Sequence, residues 1–425
     1  MNHSDGTQDF ELLGLDPLPD GWKYMPLGEL VDSTRGISYG IVQPGSYVQN
    51  GTPIVRVNNL KNGRIIVDDI LKISQTIEEK YQRTRLRGGE VLLSLVGSLG
   101  QTSVVPKELR GWNVARAVAV IPVLSEINPE WVNYALRSPQ SQHYIWTWAT
   151  TTVQATLNLG DVVRLPIPIP SEKERQTIIE ILGALDDKIE LNRRMNQTLE
   201  SMARAVFRSW FVENEEVGDW EKSSLEEIFG KKSNCVLTGP FGSHLHAHDY
   251  RDEGTPLILV KHVMDGHILE DGLPLVGEHK LSEMNRYLLE VGDIVFTRVG
   301  AVGRSAYVHP RNKGWMISGQ TLRVRVPDKT KLNPRYLAQI YLEPSFIDMV
   351  EQHALGTTRP SLNTTILSSF KFTLPPIELQ NKFGEFAETI DKKVQLNLDE
   401  SRTLASLRDS LLPKLMRGEV RVKDV

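Results

Sequence analysis

His244, His246 and His248 alternate along the chain and run into Asp249. On an extended strand alternate side chains share a face. Three imidazoles beside a carboxylate could therefore hold a metal ion or form a hydrogen-bonding surface on a solvated loop. Asp68 and Asp69, upstream of Glu78, Glu79 and Lys80, give a loose form of a nuclease acid pair followed by Glu-x-Lys, and read equally as the charged face of a helix. Stronger catalytic signatures are missing. Gly97, Ser98, Leu99 and Gly100 are not followed by the lysine that a phosphate-cradling loop requires, and no His-Glu-x-x-His is present. Nor is there an Asn/Asp-Pro-Pro-aromatic tetrapeptide of the kind that holds adenine for N6 methylation. The single cysteine, Cys235, excludes an intrachain disulfide and any paired-cysteine metal site. These patterns favour a binding protein over a self-contained enzyme.

Basic residues are the more informative set. The net charge of −4 excludes a uniformly basic nucleic-acid binder, but it is an average. Residues 1–20 carry −5, 21–157 carry +4, 158–218 carry −3, 219–362 carry −1 and 363–425 carry +1. Between 80 and 116 there are seven bases against Glu90 and Glu108; between 297 and 340 there are nine against Asp328 alone. Clustered Arg and Lys neutralise phosphates. Within this background Arg56, Asn58 and Asn59, and at the matching place Lys261 and His262, are of the types that read base edges. Arg298 and Arg304 flank Gly300 and Gly303. Thr357, Thr358 and Arg359 sit in a turn that suits backbone contact. Gly40 and Gly242, the latter followed by Ser243, suit tight turns near a ligand. Trp210 and Phe211 offer a docking surface or a cap for the helix that they end, and Trp22 and Trp220 read as core anchors.

The elements that must position these residues occur twice. Thr52, Pro53 and Ile54 return as Thr255, Pro256 and Leu257. Gly89, Glu90 and Val91 return as Gly292, Asp293 and Ile294, and Asp186 and Asn192 as Asp391 and Asn397. An offset of 203–205 over 425 residues means one large unit used twice. β-Branched runs at 53–57, 90–96, 293–299 and 321–326, set between Gly, Pro and Asn turns, predict strands. Asn-Pro pairs predict helix starts at Pro129 and Pro334. Behind each mixed region lies a helix of about 40 residues, or about 60 Å. Its seam in the first repeat is Ile178, Leu182, Leu185, Ile189, Asn192, Asn196, Leu199, Ala203, Val206 and Trp210. The second seam is Phe383, Ala387, Ile390, Val394, Asn397, Ser401, Leu404, Arg408, Leu411 and Leu415. Such helices invite an intramolecular antiparallel coiled coil whose buried Asn fixes register. The expected fold class is α+β: two mixed α/β domains joined by two long antiparallel helices in a pseudo-twofold internal repeat. A polar, acidic start and no apolar run of bilayer length suggest a cytoplasmic protein without membrane contact.

In order and spacing the chain resembles the specificity subunit of type I restriction–modification systems. The resemblance rests on Tyr39 to Gly45, Thr238 to Ser243, Gly292 to Val295 with the turn from Arg298 to Gly303, and Leu374-Pro375-Pro376 before Gln380. It also rests on Phe207 to Phe211 and on the ending Leu411 to Met416. It implies target-recognition domains at 1–157 (1–20 being an acidic leader) and 218–362, with conserved helical spacers at 158–217 and 363–425. It implies a DNA-binding, non-catalytic subunit that reads a bipartite site in double-stranded DNA, one domain per half. The implied partners are two modification (methyltransferase) subunits and restriction (endonuclease/translocase) subunits. S-adenosylmethionine and ATP would belong to those partners, with no cofactor in this chain. About 60 Å of helix spans roughly 18 base pairs, enough to hold two half-sites apart. The competing readings are a self-contained DNA methyltransferase or nuclease, and a scaffold that bridges two proteins without DNA.

Overall fold

The computed structural model describes residues 15–150, 154–231, 233–240, 245–354 and 361–422. The chain divides into two compact units, Met1–Leu191 with Glu400–Val425, and Asn192–Asp399. Each unit combines one mixed region with half of each long helix.

In the first unit the strand Val91–Ser94 lies between Val118–Ile121 and Thr102–Val104, with Ser38–Tyr39 added at the edge; neighbours run antiparallel. A second sheet sets Thr52–Val55 between antiparallel Leu71–Ile73 and parallel Asn113–Val114. All four residues of Val91–Ser94 and of Val118–Ile121 are buried. Strands with both faces covered read as continuous apolar runs, and Val91–Ser94 lies within the run at 90–96; Val118–Ile121 was not singled out in the sequence, although its repeat Thr321–Val324 was. The helix Pro129–Arg137 opens on Pro129 with Asn128 Oδ1 accepting from Glu130 N, and buries Trp131, Val132 and Leu136. The second unit repeats the plan down to register: Leu93 pairs with Ala119 and Phe296 with Leu322, Ile54 with Asn113 and Leu257 with Met316. One difference matters. Between Ile41 and Thr52 the first unit has no strand, whereas the second adds Tyr250–Arg251 against Leu275–Val276.

The long helices span Glu172–Phe211 and Ile377–Met416, forty residues each. None of the twenty seam positions is exposed. Within the first unit the two segments pair antiparallel: Lys188 meets Glu400 at 3.1 Å, and Asp186 meets Arg408 at 2.7 Å. Within the second unit Asn397 Nδ2 donates to Asn196 Oδ1 at 2.7 Å, and Asn192 Nδ2 to the Asn397 carbonyl at 3.4 Å. The polar steps are thus buried and bonded to each other, as a register-fixing device requires. Deeper in that unit Phe207, rather than the seam's Val206, is fully buried against Tyr336 and Phe383.

Each mixed region is tied to the helices by polar as well as apolar contacts. Trp22 Nε1 donates to Glu174, whose other partner is Arg421. Asp186 accepts from Tyr134, Arg137 and Arg408, and Asp391, its repeat, is clamped by Arg335.

Candidate nucleic-acid interface

Immediately after the strands Thr52–Val55 and Thr255–Ile258 the chain makes a tight turn, Val57–Asn59 and Val260–His262. The last side chain of each turn folds back onto the backbone. Asn59 Oδ1 accepts from Arg56 N at 2.9 Å, and its Nδ2 donates to the carbonyls of Ile66 and Asp68. His262 Nδ1 accepts from Leu259 N at 3.1 Å. Both residues are 2% exposed. Burial and the adjacent Lys261 charge hold the His262 pKa below the usual imidazole value, so the ring is neutral near pH 7. The expectation that Asn59 and His262 read bases is corrected: the Asn59 amide and His262 Nδ1 serve the turn, and His262 Nε2 is buried away from solvent. The middle residues, Asn58 and Lys261, are exposed and occupy equivalent places. Arg56 is taken by Asp69, through its carbonyl at 2.6 Å and its carboxylate at 3.0 Å.

Gly40 is also reassigned. Its φ is ordinary, but a Cβ there would lie 2.2 Å from the Val114 carbonyl. It allows two backbones to touch, and its equivalent is Gly239, where a Cβ would meet the Ser318 carbonyl at 2.2 Å. Gly242, Ser243, Thr357, Thr358 and Arg359 lie outside the described residues, as does His244. Arg298 is half-buried with its guanidinium directed at the Gly319 carbonyl, 3.5 Å away. Arg304 is exposed, with Met264 Sδ 3.8 Å from one guanidinium nitrogen. Phe211 is 3% exposed among Phe207, Tyr336 and Phe383, so it is core and not a docking surface; Trp210 is half-buried against the same cluster.

The basic segment 297–340 divides once partners are known. Arg325 binds the buried Asp293, Arg335 binds Asp391, Arg311 binds Asp399, and Lys313 faces Glu290 at 3.5 Å. Arg323 is 7% exposed and donates to the Arg286 carbonyl. Arg325, Arg335, Arg311 and Arg323 are thus committed within the unit and are not a phosphate-binding face, whereas Lys313 stays exposed beside an exposed Glu290. In the first unit Lys80, Arg83, Arg87, Lys107, Arg110 and Arg116 are exposed, while Arg85 binds Glu78 and holds its carboxyl below the usual range. Glu78 is therefore a structural acid and not the glutamate of a nuclease Glu-x-Lys. His248 and His279 place Nε2 3.6 and 3.5 Å from Asp249 Oδ1, and the rings of His246 and His248 stack. Among the described residues no group of three or more His, Cys, Asp or Glu is arranged to hold a metal ion, and no helix is long and apolar enough to cross a membrane.

Each unit thus presents a tight turn with one exposed polar tip, Asn58 in the first and Lys261 in the second. The anchoring role of Asp186 and Asp391 was not visible from their recurrence alone; the signal was an acid at the same seam-flanking place in both helices.

Comparisons with known proteins agree with this plan. The family model of the type I restriction modification DNA specificity domain matches twice, at 19–201 and 218–404. The EcoBI specificity subunit of Escherichia coli is 30% identical over 229 residues, 52% of this chain; the chain spans about half, 47%, of that relative. The EcoKI specificity subunit of Escherichia coli strain K12 is 22% identical over 95% of this chain and 90% of its own length. The crystal structure of a type I restriction-modification S subunit from M. genitalium shares the fold, with a TM-score of 0.54 at 16% identity over 95% of this chain and 97% of that one. With both of its repeats matched, the chain belongs to the type I restriction modification DNA specificity family, as a specificity subunit that carries the domain twice.

Proposed function

We infer that each unit reads one half of a split site in double-stranded DNA, and that the chain performs no chemistry itself. The observation that carries this reading is the pairing of one framework with two different tips: Asn58 and Lys261 stand at the same place in the two repeats. An amide there suits an adenine edge and an ammonium a guanine edge. Two modification subunits docked on the helical segments would bring S-adenosylmethionine and the methyl transfer, and restriction subunits would bring ATP. No cofactor is assigned to this chain, and its place of action is the cytoplasm. The lengths of the two helices would set the gap between half-sites.

The test is selection from a random duplex pool with the full chain, repeated after residues 219–355 are exchanged for those of another family member. One half of the selected sequence should change and the other should not. Change in both halves would refute independent reading, and no split sequence at all would favour a scaffold. Methyl transfer from labelled S-adenosylmethionine by this chain alone would identify an enzyme instead.

A further inference from the structure

From Gly36 to Val55 the chain carries no Asp, Glu, Lys or Arg. Within this stretch residues 42–50 form a loop in which only Pro44 is half-buried and the other eight residues are exposed. The loop shows water two kinds of side chain that soluble surfaces do not usually concentrate together. Val42, Tyr47 and Val48 are 46%, 58% and 38% exposed. Gln43, Gln49 and Asn50 are exposed carboxamides without a hydrogen bond to any described residue.

The loop is held at its ends and its middle. Ile41, fully buried, packs with Ile54 and Ile73, and its carbonyl accepts from Arg116 N at 2.8 Å. Val48 N donates to the Lys72 carbonyl at 2.9 Å, and Gly51 N closes back on Val48. Gly45, at φ +73°, lies so close to Ile77 that a Cβ would be 3.1 Å from its Cδ1. Cations stand at the roots. Arg116 is exposed, Lys72 is half-buried, and neither is in an ion pair with a described residue. Glu78, next to Ile77, is already bound by Arg85. A fixed, uncharged loop of amides and apolar tips between cationic shoulders has the composition of a base-edge reader. Amides bond adenine N6 and N7 in pairs, valine and aromatic side chains contact the thymine methyl, and the flanking cations take phosphates.

We propose that the loop 42–50 is a second base-reading element of the first unit, in addition to Asn58, and that it takes an A·T-containing stretch of duplex, Gln43 and Gln49 bonding adenine edges and Val42 and Tyr47 covering thymine methyls. This rests on the reading of the chain as a DNA-specificity subunit. The second unit has a different device at the corresponding place, where Tyr250–Arg251 pairs as a strand.

The experiment is duplex selection with the full chain and with the variant Gln43→Ala/Gln49→Ala, followed by titration on the best wild-type site. In the variant one half-site should lose preference at one or two A·T positions, with the other half unchanged and affinity reduced about tenfold for each lost amide pair. Replacing thymine by uracil in that half should weaken the wild-type chain and leave Val42→Ala/Tyr47→Ala indifferent. All four positions are exposed, so the melting midpoint should stay in place; a fall in midpoint would overturn the description of the loop as an unburied tip. Unchanged preference and affinity at an intact wild-type split motif would overturn this inference alone. Failure of the wild-type chain to select any split motif would overturn the DNA reading beneath it.

Discussion

Asp186 joins side chains of the mixed region and of both long helices within the first unit, and its replacement by asparagine tests how that unit is held. Its Oδ1 accepts from Arg408 at 2.7 Å, and its Oδ2 accepts from Arg137 at 3.0 Å and from Tyr134 at 3.0 Å. The side chains of Asp186, Arg408 and Arg137 are 12%, 10% and 13% exposed. Asp186→Asn keeps the shape but leaves two nearly buried guanidiniums without their shared counter-charge, at a cost of about 3–5 kcal/mol. Arg408→Ala leaves the carboxylate with Arg137 and Tyr134, so the loss is one charge-assisted hydrogen bond, about 1.5–3 kcal/mol. The double variant should cost less than the sum of the two, because the charge-assisted bond between the two side chains is lost only once and Arg408 is no longer left facing an uncharged amide. Denaturant unfolding of the full chain, read as a midpoint shift at constant slope, measures all three. Acid supplies a second readout. Burial raises the Asp186 pKa, but Arg137 and Arg408 together outweigh it, so the folded value lies below 3.8. Its contribution is therefore complete above that value and is lost as pH falls through the folded pKa. The gap between wild type and Asp186→Asn should narrow below about pH 4. Equal and additive single costs, or a gap that persists in acid, would show that the cluster is not what holds the helices to the first unit.

Two further outcomes follow from the framework. Gly40→Ala and Gly239→Ala each push a methyl to 2.2 Å from a backbone carbonyl and should destabilise by about 3 kcal/mol or more, seen as a lowered melting midpoint; a midpoint within a degree or so of wild type would contradict the close approach. Lys261→Ala should leave stability within about 0.5 kcal/mol and weaken DNA binding, whereas Arg325→Ala strips the buried Asp293 of its partner and should cost about 3 kcal/mol; the two are separated by measuring melting and duplex affinity on the same preparations.

The long helices, their seams and the principal strands were legible because apolar periodicity reports which face is covered, and here it did so for twenty seam positions. The candidate site was legible only in part. At a tight turn two adjacent polar residues look alike in sequence, yet one caps the backbone and the other meets solvent. Asn58 and Asn59, or Lys261 and His262, cannot be separated without the turn's geometry. The basic segment 297–340 misled for a different reason. The acids that neutralise it, Asp391 for Arg335 and Asp399 for Arg311, lie 56 and 88 residues away in the chain, beyond any local charge count. Of the loop 42–50 only the start was marked in the sequence, by Gly40 and the stretch Tyr39–Gly45; Tyr47, Gln49 and Asn50 carry no charge, and only the structure shows that they are exposed.

The two repeats also explain how low identity and one fold coexist in this family. Within the chain the positions that recur are those whose loss is costly. Gly40 and Gly239 admit a backbone, the buried Glu90 and Asp293 each accept an arginine, and Asp186 and Asp391 tie a mixed region to a helix. The arginine itself is free to arrive from elsewhere: Arg35 serves Glu90 and Arg325 serves Asp293, from different strands of sequence onto the same acid. The positions that differ, Asn58 against Lys261 and the loop 42–50 against the strand Tyr250–Arg251, are exposed and bear none of that load. Exchange at these tips costs little stability, and so the half-site that a unit reads can change while the unit that reads it stays the same.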